Sequence, residues 1–303
     1  MRRLQLVVNP AAGGGRAAAV LPAAEAALRA AGHDLLVTPT GSLEHADELT
    51  AAAVAADRIV VAMGGDGIVG RVAGVVASLG GVLGALPGGR GNDFCRAAGI
   101  PKGLVAACAV LSDGQVRPLD LGMVSSATGD TAFFGIASIG FDSAVQERVL
   151  SSRLRAGQLV YLYGALAAIA SWRHAEFTGT LDGVPFRLRG WSVAVANSGI
   201  YGGGMRLAPD ASMEDGTLDV VTTSATSRLR FLRALPTVFR GTHVGHESVR
   251  VQPARTVQLS ADRPFRVFAD GDPAGTLPCT VTVRPAAVRV VLPVRPLAPK
   301  RDV

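Results

Sequence analysis

Aromatic residues are scarce in this sequence, at 5% of 303 positions. Stacking platforms for single-stranded nucleic acid need exposed aromatics, so nucleic acid is not an expected partner. Cysteine is scarcer still, with only Cys95, Cys108 and Cys279, widely spaced and without a CxxC pair. Such a set argues against a disulfide framework and a zinc site, and it suits a reducing, cytoplasmic setting. A secretory signal is not apparent, because Met1-Arg2-Arg3 leads into a short apolar run that stops at Asn9-Pro10. No internal repeat or low-complexity linker is found. His243 and His246 are spaced HxxH without a third ligand nearby, which points to a solvated loop rather than a metal site.

Charged residues are also few, at 18%, against 49% hydrophobic residues, so the chain has ample material for buried cores. The length accommodates one large domain or, more comfortably, two. A net charge of +6, mostly from arginine, favours an anionic partner without naming it. The stretch Ala156–Trp172 is nearly uncharged and close to membrane-spanning length. Its Gln158, its small residues and its soluble-looking flanks favour a buried or surface-docking helix instead.

Through the first 120 residues strand and helix signals alternate. Strands are expected at Leu4–Val8, Leu35–Val37, Arg58–Met63 and Val82–Leu86. Helices are expected at Ala17–Ala31, Leu43–Ala55, Ile68–Leu79 and Asn92–Leu111, the last interrupted near Pro101. That rhythm implies a doubly wound parallel sheet covered on both faces. Beyond Leu119 strand-like runs dominate: Ala132–Ile139, Phe177–Leu181, Val184–Asn197, Leu218–Thr223, Thr256–Ser260, Phe265–Ala269 and Val281–Val283. Two helical islands interrupt them, Asp142–Arg173 and Thr226–Phe239. The expectation is an α/β nucleotide domain followed by an antiparallel β-sandwich.

Three glycine-rich turns follow strands of the first half. They are Asn9-Pro10-Ala11-Ala12-Gly13-Gly14-Gly15-Arg16, Gly64-Gly65-Asp66-Gly67 and Pro87-Gly88-Gly89-Arg90-Gly91-Asn92-Asp93. Open α/β sheets bind ligands at the carboxyl ends of their strands, and glycine lets backbone N–H groups approach phosphate oxygens. None is a Walker A loop, since no GK[ST] follows. An aspartate inside the second turn makes sense if Mg²⁺ or its waters lie between it and phosphate.

Together with Asn197–Asp219 (NSGIYGGGMRLAPDASMEDGTLD) and Asp270-Gly271-Asp272, these turns resemble the diacylglycerol kinase catalytic family. Bacterial soluble lipid kinases, sphingosine kinases and ceramide kinases share that resemblance. It implies a nucleotide domain over residues 1–121, completed by a returning segment at about 286–303, and a lipid-substrate sandwich over 122–285. It places ATP against Asn9, Pro10, Gly13, Thr40, Gly64, Gly65, Asp66, Gly67, Arg90 and Asn92. Asp270 matches the general base, with Asp272 beside it. Asp66, Asp93 and Asp120 match an acidic and water network near the catalytic Mg²⁺. Ser212, Asp215 and Thr217 match a second, structural Mg²⁺ site. Read without the family, Asp215-Gly216 and Asp270-Gly271 are also ordinary turn sequences.

The sequence departs from the family pattern at five positions. Ile68, Gly70 and Arg71 replace a threonine, an asparagine and a glutamate; Arg90 replaces a threonine; and Asp272 stands for glutamate. The retained acids favour an active kinase, with diacylglycerol as the leading acceptor and phosphatidic acid as product. A catalytically impaired lipid- or nucleotide-binding relative, and a kinase for a sphingoid or other alcohol, are the rival readings. Arginines at 148, 153, 155, 173, 228, 230, 233 and 240 flank or fill the helical islands. If they share a surface with apolar side chains, they would dock the protein peripherally on an anionic membrane, where a lipid acceptor lies. The oligomeric state stays open, a homodimer among the options.

Overall fold

A computed structural model describes residues 1–151, 164 and 167–294. The chain divides into two compact units, Met1–Leu119 with Ala287–Val303 (unit one) and Asp120–Ala286 (unit two).

In unit one the strands are β1 (Arg3–Val8), β2 (Asp34–Pro39), β3 (Ile59–Gly64) and β4 (Val82–Pro87). The end of β15 (Cys279–Leu292) joins them, and the sheet runs β15-β4-β3-β1-β2 with parallel pairing. β1, β3 and β4 are almost wholly buried, as parallel strands covered on both faces should be, whereas β2 lies at the edge and is half exposed. The helices are α1 (Ala12–Ala30), α2 (Leu43–Ala55), α3 (Asp66–Leu79), α4 (Asp93–Ala97) and α5 (Leu104–Asp113). Gly13, Gly14 and Gly15 at the start of α1 take left-handed φ values of 65°, 74° and 92°, so regular helix begins only after them. The expected break near Pro101 is the gap between α4 and α5.

Unit two is an antiparallel β-sandwich. Its central strand β9 (Val184–Ala196) pairs with β7 (Ile136–Gly140), β8 (Ala175–Leu181) and β10 (Leu218–Ser224). β11 (Val249–Ala254) extends from β10, β12 (Thr256–Ala261) from β8, and β13 (Arg266–Ala269) from β7. β14 (Asp272–Thr276) pairs with β13, and β5 (Gln115–Ser126) with β6 (Gly129–Phe133). Val193 and Val195 of β9 enter the main core with Phe133, Phe177 and Val281, while the alternate residues Ala194 and Ala196 enter a second cluster with Ile136 and Val221. The two-residue period of the strand therefore serves two cores. A third cluster is aromatic: Trp191 stacks on Phe231, and Phe141 meets Trp191 edge-on.

Two strand expectations change. Ala132–Ile139 is not one strand but the end of β6 and the start of β7, because the N–H groups of Phe134, Gly135 and Ile136 donate to the Asp270 carboxylate instead of to a neighbouring strand. Val281–Val283 and the later apolar run are one strand, β15, with Ala286 at a left-handed φ of 50° inside it. The helical islands contain α6 (Phe141–Ser151) and α7 (Arg228–Val238). Most of the Ala156–Trp172 stretch, with Arg153 and Arg155, lies outside the described residues. Among the described residues no helix is long and apolar enough to cross a membrane.

Candidate functional site

The glycine turns of unit one close on one another by backbone alone. Gly88 N–H donates to Gly64 O at 3.0 Å, and Asn9 N–H donates to Met63 O at 3.0 Å. A Cβ on Gly13 would lie 2.8 Å from Gly88 O, one on Gly88 would lie 3.1 Å from Gly64 Cα, and one on Gly89 would collide with Gly65 Cα. Close approach of chain to chain is thus the reason for glycine here. Gly65 caps α3 without a side-chain acceptor, and Gly67 sits in its first turn. That leaves a helix N-terminus of the kind that accepts phosphate.

Several expected ATP residues spend their side chains on this frame. Asn9 Oδ1 accepts from Ala11 N–H at 3.1 Å, beside Pro10. Asn92 Oδ1 accepts from Gly89 N–H at 2.8 Å, and its amide donates back to Gly89 O at 3.0 Å. Thr40 is buried, its hydroxyl donating to Ser42 O at 2.6 Å. Arg90 is exposed, and a Cβ on Gly14 would lie 3.5 Å from its Nη2. Of the replaced residues, Ile68 is buried against Gly64, and Arg71 forms an ion pair with Asp47 of α2.

Asp66 and Asp93 come together around Gly91, where a Cβ would lie 3.0 Å from Asp66 Oδ2 and 3.4 Å from Asp93 Oδ2. Asp66 Oδ1 accepts from Phe94 N–H at 2.9 Å. Burial, with Asp93 adding to it, pushes the Asp66 carboxyl above its ordinary value, an effect opposed by the Phe94 hydrogen bond. The two carboxylates offer the oxygen donors that Mg²⁺ takes, with Arg96 Nε already 3.8 Å from Asp93 Oδ1.

In unit two the Asp270 carboxylate accepts three backbone hydrogen bonds: Phe134 N–H to Oδ2 at 2.9 Å, and Gly135 and Ile136 N–H to Oδ1 at 2.8 and 3.1 Å. Asp270 itself takes φ 52°, in the left-handed region. Asp272 follows as the first residue of β14, exposed, with its carboxyl raised by partial desolvation. Asp120 is buried, and its two oxygens accept from Gly216 N–H and Ala286 N–H, each at 2.7 Å. Asp120 N–H donates to Met213 O at 2.7 Å, so this residue ties down the loop of Ser212, Asp215 and Thr217. In that loop Asp215 Oδ1 accepts from Thr217 N–H at 2.9 Å and from its hydroxyl at 2.8 Å, and Ser212 Oγ accepts from Glu214 N–H at 3.2 Å. Asp120 thus holds the second loop of unit two, whereas Asp66 and Asp93 pair within unit one. Among the described residues no group of three or more His, Cys, Asp or Glu is placed to hold a metal.

Asn197, fully buried, donates to Asp120 O at 3.0 Å and Phe134 O at 2.9 Å, joining the Asp120 and Asp270 clusters. Comparison with known proteins agrees with this layout. The diacylglycerol kinase catalytic domain model matches residues 3–124, and the YegS C-terminal NAD kinase beta sandwich-like domain model matches residues 135–292. A diacylglycerol kinase of Mycobacterium tuberculosis (strain H37Rv) is 35% identical over 296 residues, 96% of this chain and 95% of that protein. The chain belongs to the diacylglycerol kinase catalytic family. A second member, a diacylglycerol kinase of Bacillus subtilis (strain 168), is 28% identical over 97% of both chains. The crystal structure of a diacylglycerol kinase from Bacillus anthracis shares the fold, with a TM-score of 0.73 at 21% identity over 96% of this chain and 97% of that one.

Pattern reading within the family missed a cavity of about 750 Å³ in unit two, bounded by α7, the end of β10 and the 242–249 segment. Phe231, Leu235 and Val238 line it with Tyr201 and Asp142. Gln146 connects it to the Asp270 turn: its amide donates to Tyr201 Oη at 2.9 Å, and its Oε1 lies 4.0 Å from a Cβ built on Gly271. Enclosure pushes the Asp142 carboxyl up to about 6. No local motif marks these residues, because the cavity forms between elements distant in sequence. The expected solvated HxxH loop is also corrected. His243 is buried in a short 3₁₀ turn (Thr242–Gly245), its Nε2 3.0 Å from Leu207 O, and burial lowers its pKa; His246 is exposed. All three cysteines are free and buried, with Cys95 and Cys279 pushed up to about 12 and Cys108 to about 11 by desolvation. They are inert thiols by that measure.

Proposed function

We propose that the chain is an ATP- and Mg²⁺-dependent lipid kinase that phosphorylates the hydroxyl of diacylglycerol, yielding phosphatidic acid. The observation carrying this reading is Asp270, whose carboxyl group is fixed in place by three backbone N–H donors. A lipid alcohol is a weak nucleophile, and a positioned carboxylate that takes its proton accelerates transfer by about 10²–10⁴. The backbone clamp keeps Asp270 oriented, since rotating it away breaks all three bonds.

In this reading the α3 N-terminus, with the glycine-turn N–H groups that the frame does not use, receives the ATP phosphates, and Asp66 with Asp93 would hold the cation. Mg²⁺ supplies charge neutralisation of the transferring phosphoryl group. The cavity along α7, lined by Phe231, Leu235 and Val238 as well as Arg230 and Arg233 and linked through Tyr201 and Gln146 to the Asp270 turn, supports an acceptor with an apolar part. Ile68 and Arg71 have structural roles, in the core and with Asp47.

The test is transfer of labelled phosphate from ATP to a mixed lipid extract, with the product identified. Phosphatidic acid is the expected product; label confined to water-soluble alcohols would overturn the lipid reading. Asp270→Asn should lower turnover by about 10²–10⁴ while ATP binding persists. Near-wild-type turnover in a folded Asp270→Asn protein would remove Asp270 from the base role.

A further inference from the structure

Helix α7 has one face already employed inside unit two. Phe231 stacks on Trp191 with ring centroids 3.8 Å apart and planes 3° from parallel, and it meets Phe141 edge-on at 4.9 Å. Leu235 packs on the same aromatic cluster. The helix starts cleanly, with Ser227 Oγ accepting from Arg230 N–H at 3.3 Å. These contacts account for its attachment.

A second set of apolar side chains lies on the other face. Leu229, Leu232 and Phe239 are 56%, 40% and 58% exposed, and Pro236 between them is exposed as well. Positions 229, 232, 236 and 239 are spaced by three, four and three, which is one stripe along a helix of 3.6 residues per turn. Single exposed leucines are ordinary on a protein surface, but an aligned stripe of this kind is not. Arg228 borders the stripe on one side and Arg233 and Arg240 on the other, with Arg230 further round.

The charge along α7 itself is of one sign, while Asp142 and Glu247 line the cavity that Arg230 and Arg233 also line. From Ala225 to His246 the sequence holds four arginines and no acidic residue. Arg228 donates to Trp172 O at 3.1 Å, and among the described residues Arg230, Arg233 and Arg240 have no acidic partner. An apolar stripe bordered by unpaired arginines is the surface pattern of a helix that lies in the plane of a membrane interface. A second copy of the chain fits it poorly, because it would set arginine against arginine with no acid between them.

We propose that the outer face of α7 docks on an anionic bilayer, with Leu229, Leu232 and Phe239 entering the acyl boundary and the arginines meeting lipid phosphates. The inference takes from the lipid-kinase reading only the presence of a membrane, and its test does not use catalysis, so either can fail without the other.

The full-length protein is sedimented with phosphatidylcholine vesicles, with and without phosphatidylglycerol. Binding should require the anionic lipid and weaken with salt. Replacing Arg230, Arg233 and Arg240 by glutamine should cost roughly fivefold in affinity per arginine, on the order of a hundredfold together. Insertion is read separately through Leu232→Cys carrying an environment-sensitive fluorophore, a selective label because the three native thiols are buried. A blue shift, and quenching by bromine-labelled acyl chains, are expected with anionic vesicles alone. All these positions are exposed, so unchanged melting curves will show that the variants fold. The proposal is overturned if the probe stays in water, if the glutamine variant binds like wild type, or if the stripe instead drives self-association that Leu229→Ser and Leu232→Ser abolish without lipid.

Discussion

Unit one packs its loops against one another at residues that have no side chain, with asparagine amides bracing them, and unit two positions its turns with carboxylates. A Cβ on Gly13, Gly88 or Gly89 would press on the backbone of the next loop, so the turns after β1, β3 and β4 lean directly on one another. In unit two Asp270 gathers the N–H groups of residues 134–136, and Asp120 gathers those of Gly216 and Ala286. The difference follows from what meets what. In unit one backbone packs on backbone, which only positions without a Cβ allow. In unit two the carboxylate oxygens collect N–H groups that no neighbouring strand takes up.

The comparison can be broken first in unit one. Gly89→Ala places a methyl against Gly65 backbone, which cannot swing aside as a flexible side chain can. It should cost about 3 kcal/mol of stability and most of the nucleotide affinity, measured by urea unfolding and by titration with ATP. A variant that binds ATP normally would show that the close approach is not needed.

A smaller effect is expected in unit two from Asp120→Asn. One of the two backbone donors, at Gly216 or Ala286, would then face an amide NH₂, at a cost of about 2 kcal/mol. Hydrogen exchange should quicken at residues 213–217, while ATP affinity stays unchanged. Equal loss of nucleotide binding would mean that the two centres are not independently built.

Smallest, and of opposite sign, is Asp142→Asn. The Asp142 carboxyl is pushed up to about 6 from an ordinary 3.8, so the folded state holds a proton that the unfolded state releases. That carboxylate therefore lowers stability as pH rises between those values, and the cost is full above pH of about 6. Discounted for the residual solvent access of the side chain, it amounts to about 1–2 kcal/mol. The asparagine variant should be more stable than wild type at neutral pH and lose that advantage as pH falls toward 4, by denaturant titration across this range. A pH-independent difference would place the cost elsewhere.

Much of unit one was legible because its signals are local. Buried parallel strands read as continuous apolar runs, and turns that need close backbone approach read as glycine clusters. Unit two was less so. The break at Phe134-Gly135 could not be read from Ala132–Ile139, since its cause, Asp270, is more than 130 residues away. His243 was expected in solvent because a histidine carries no record of which carbonyl it will meet. Arg71 stood out as a missing glutamate, and only the packing of α2 on α3 supplies its partner, Asp47.

The sequence by itself determined the order of elements, the phosphate-type turns, the acidic residues and the family to which they belong. Each of these depends on neighbours a few positions apart, and backbone geometry translates such spacing directly into turns, strands and helices. The tertiary structure alone decided that Asp66 and Asp93 come together around Gly91 while Asp120 staples a different loop, that a cavity forms between α7, the end of β10 and the 242–249 segment, and that Leu229, Leu232 and Phe239 of α7 are left exposed. Those outcomes depend on which distant groups compete for the same N–H, the same oxygen or the same apolar surface, and that competition is resolved only when the chain is packed.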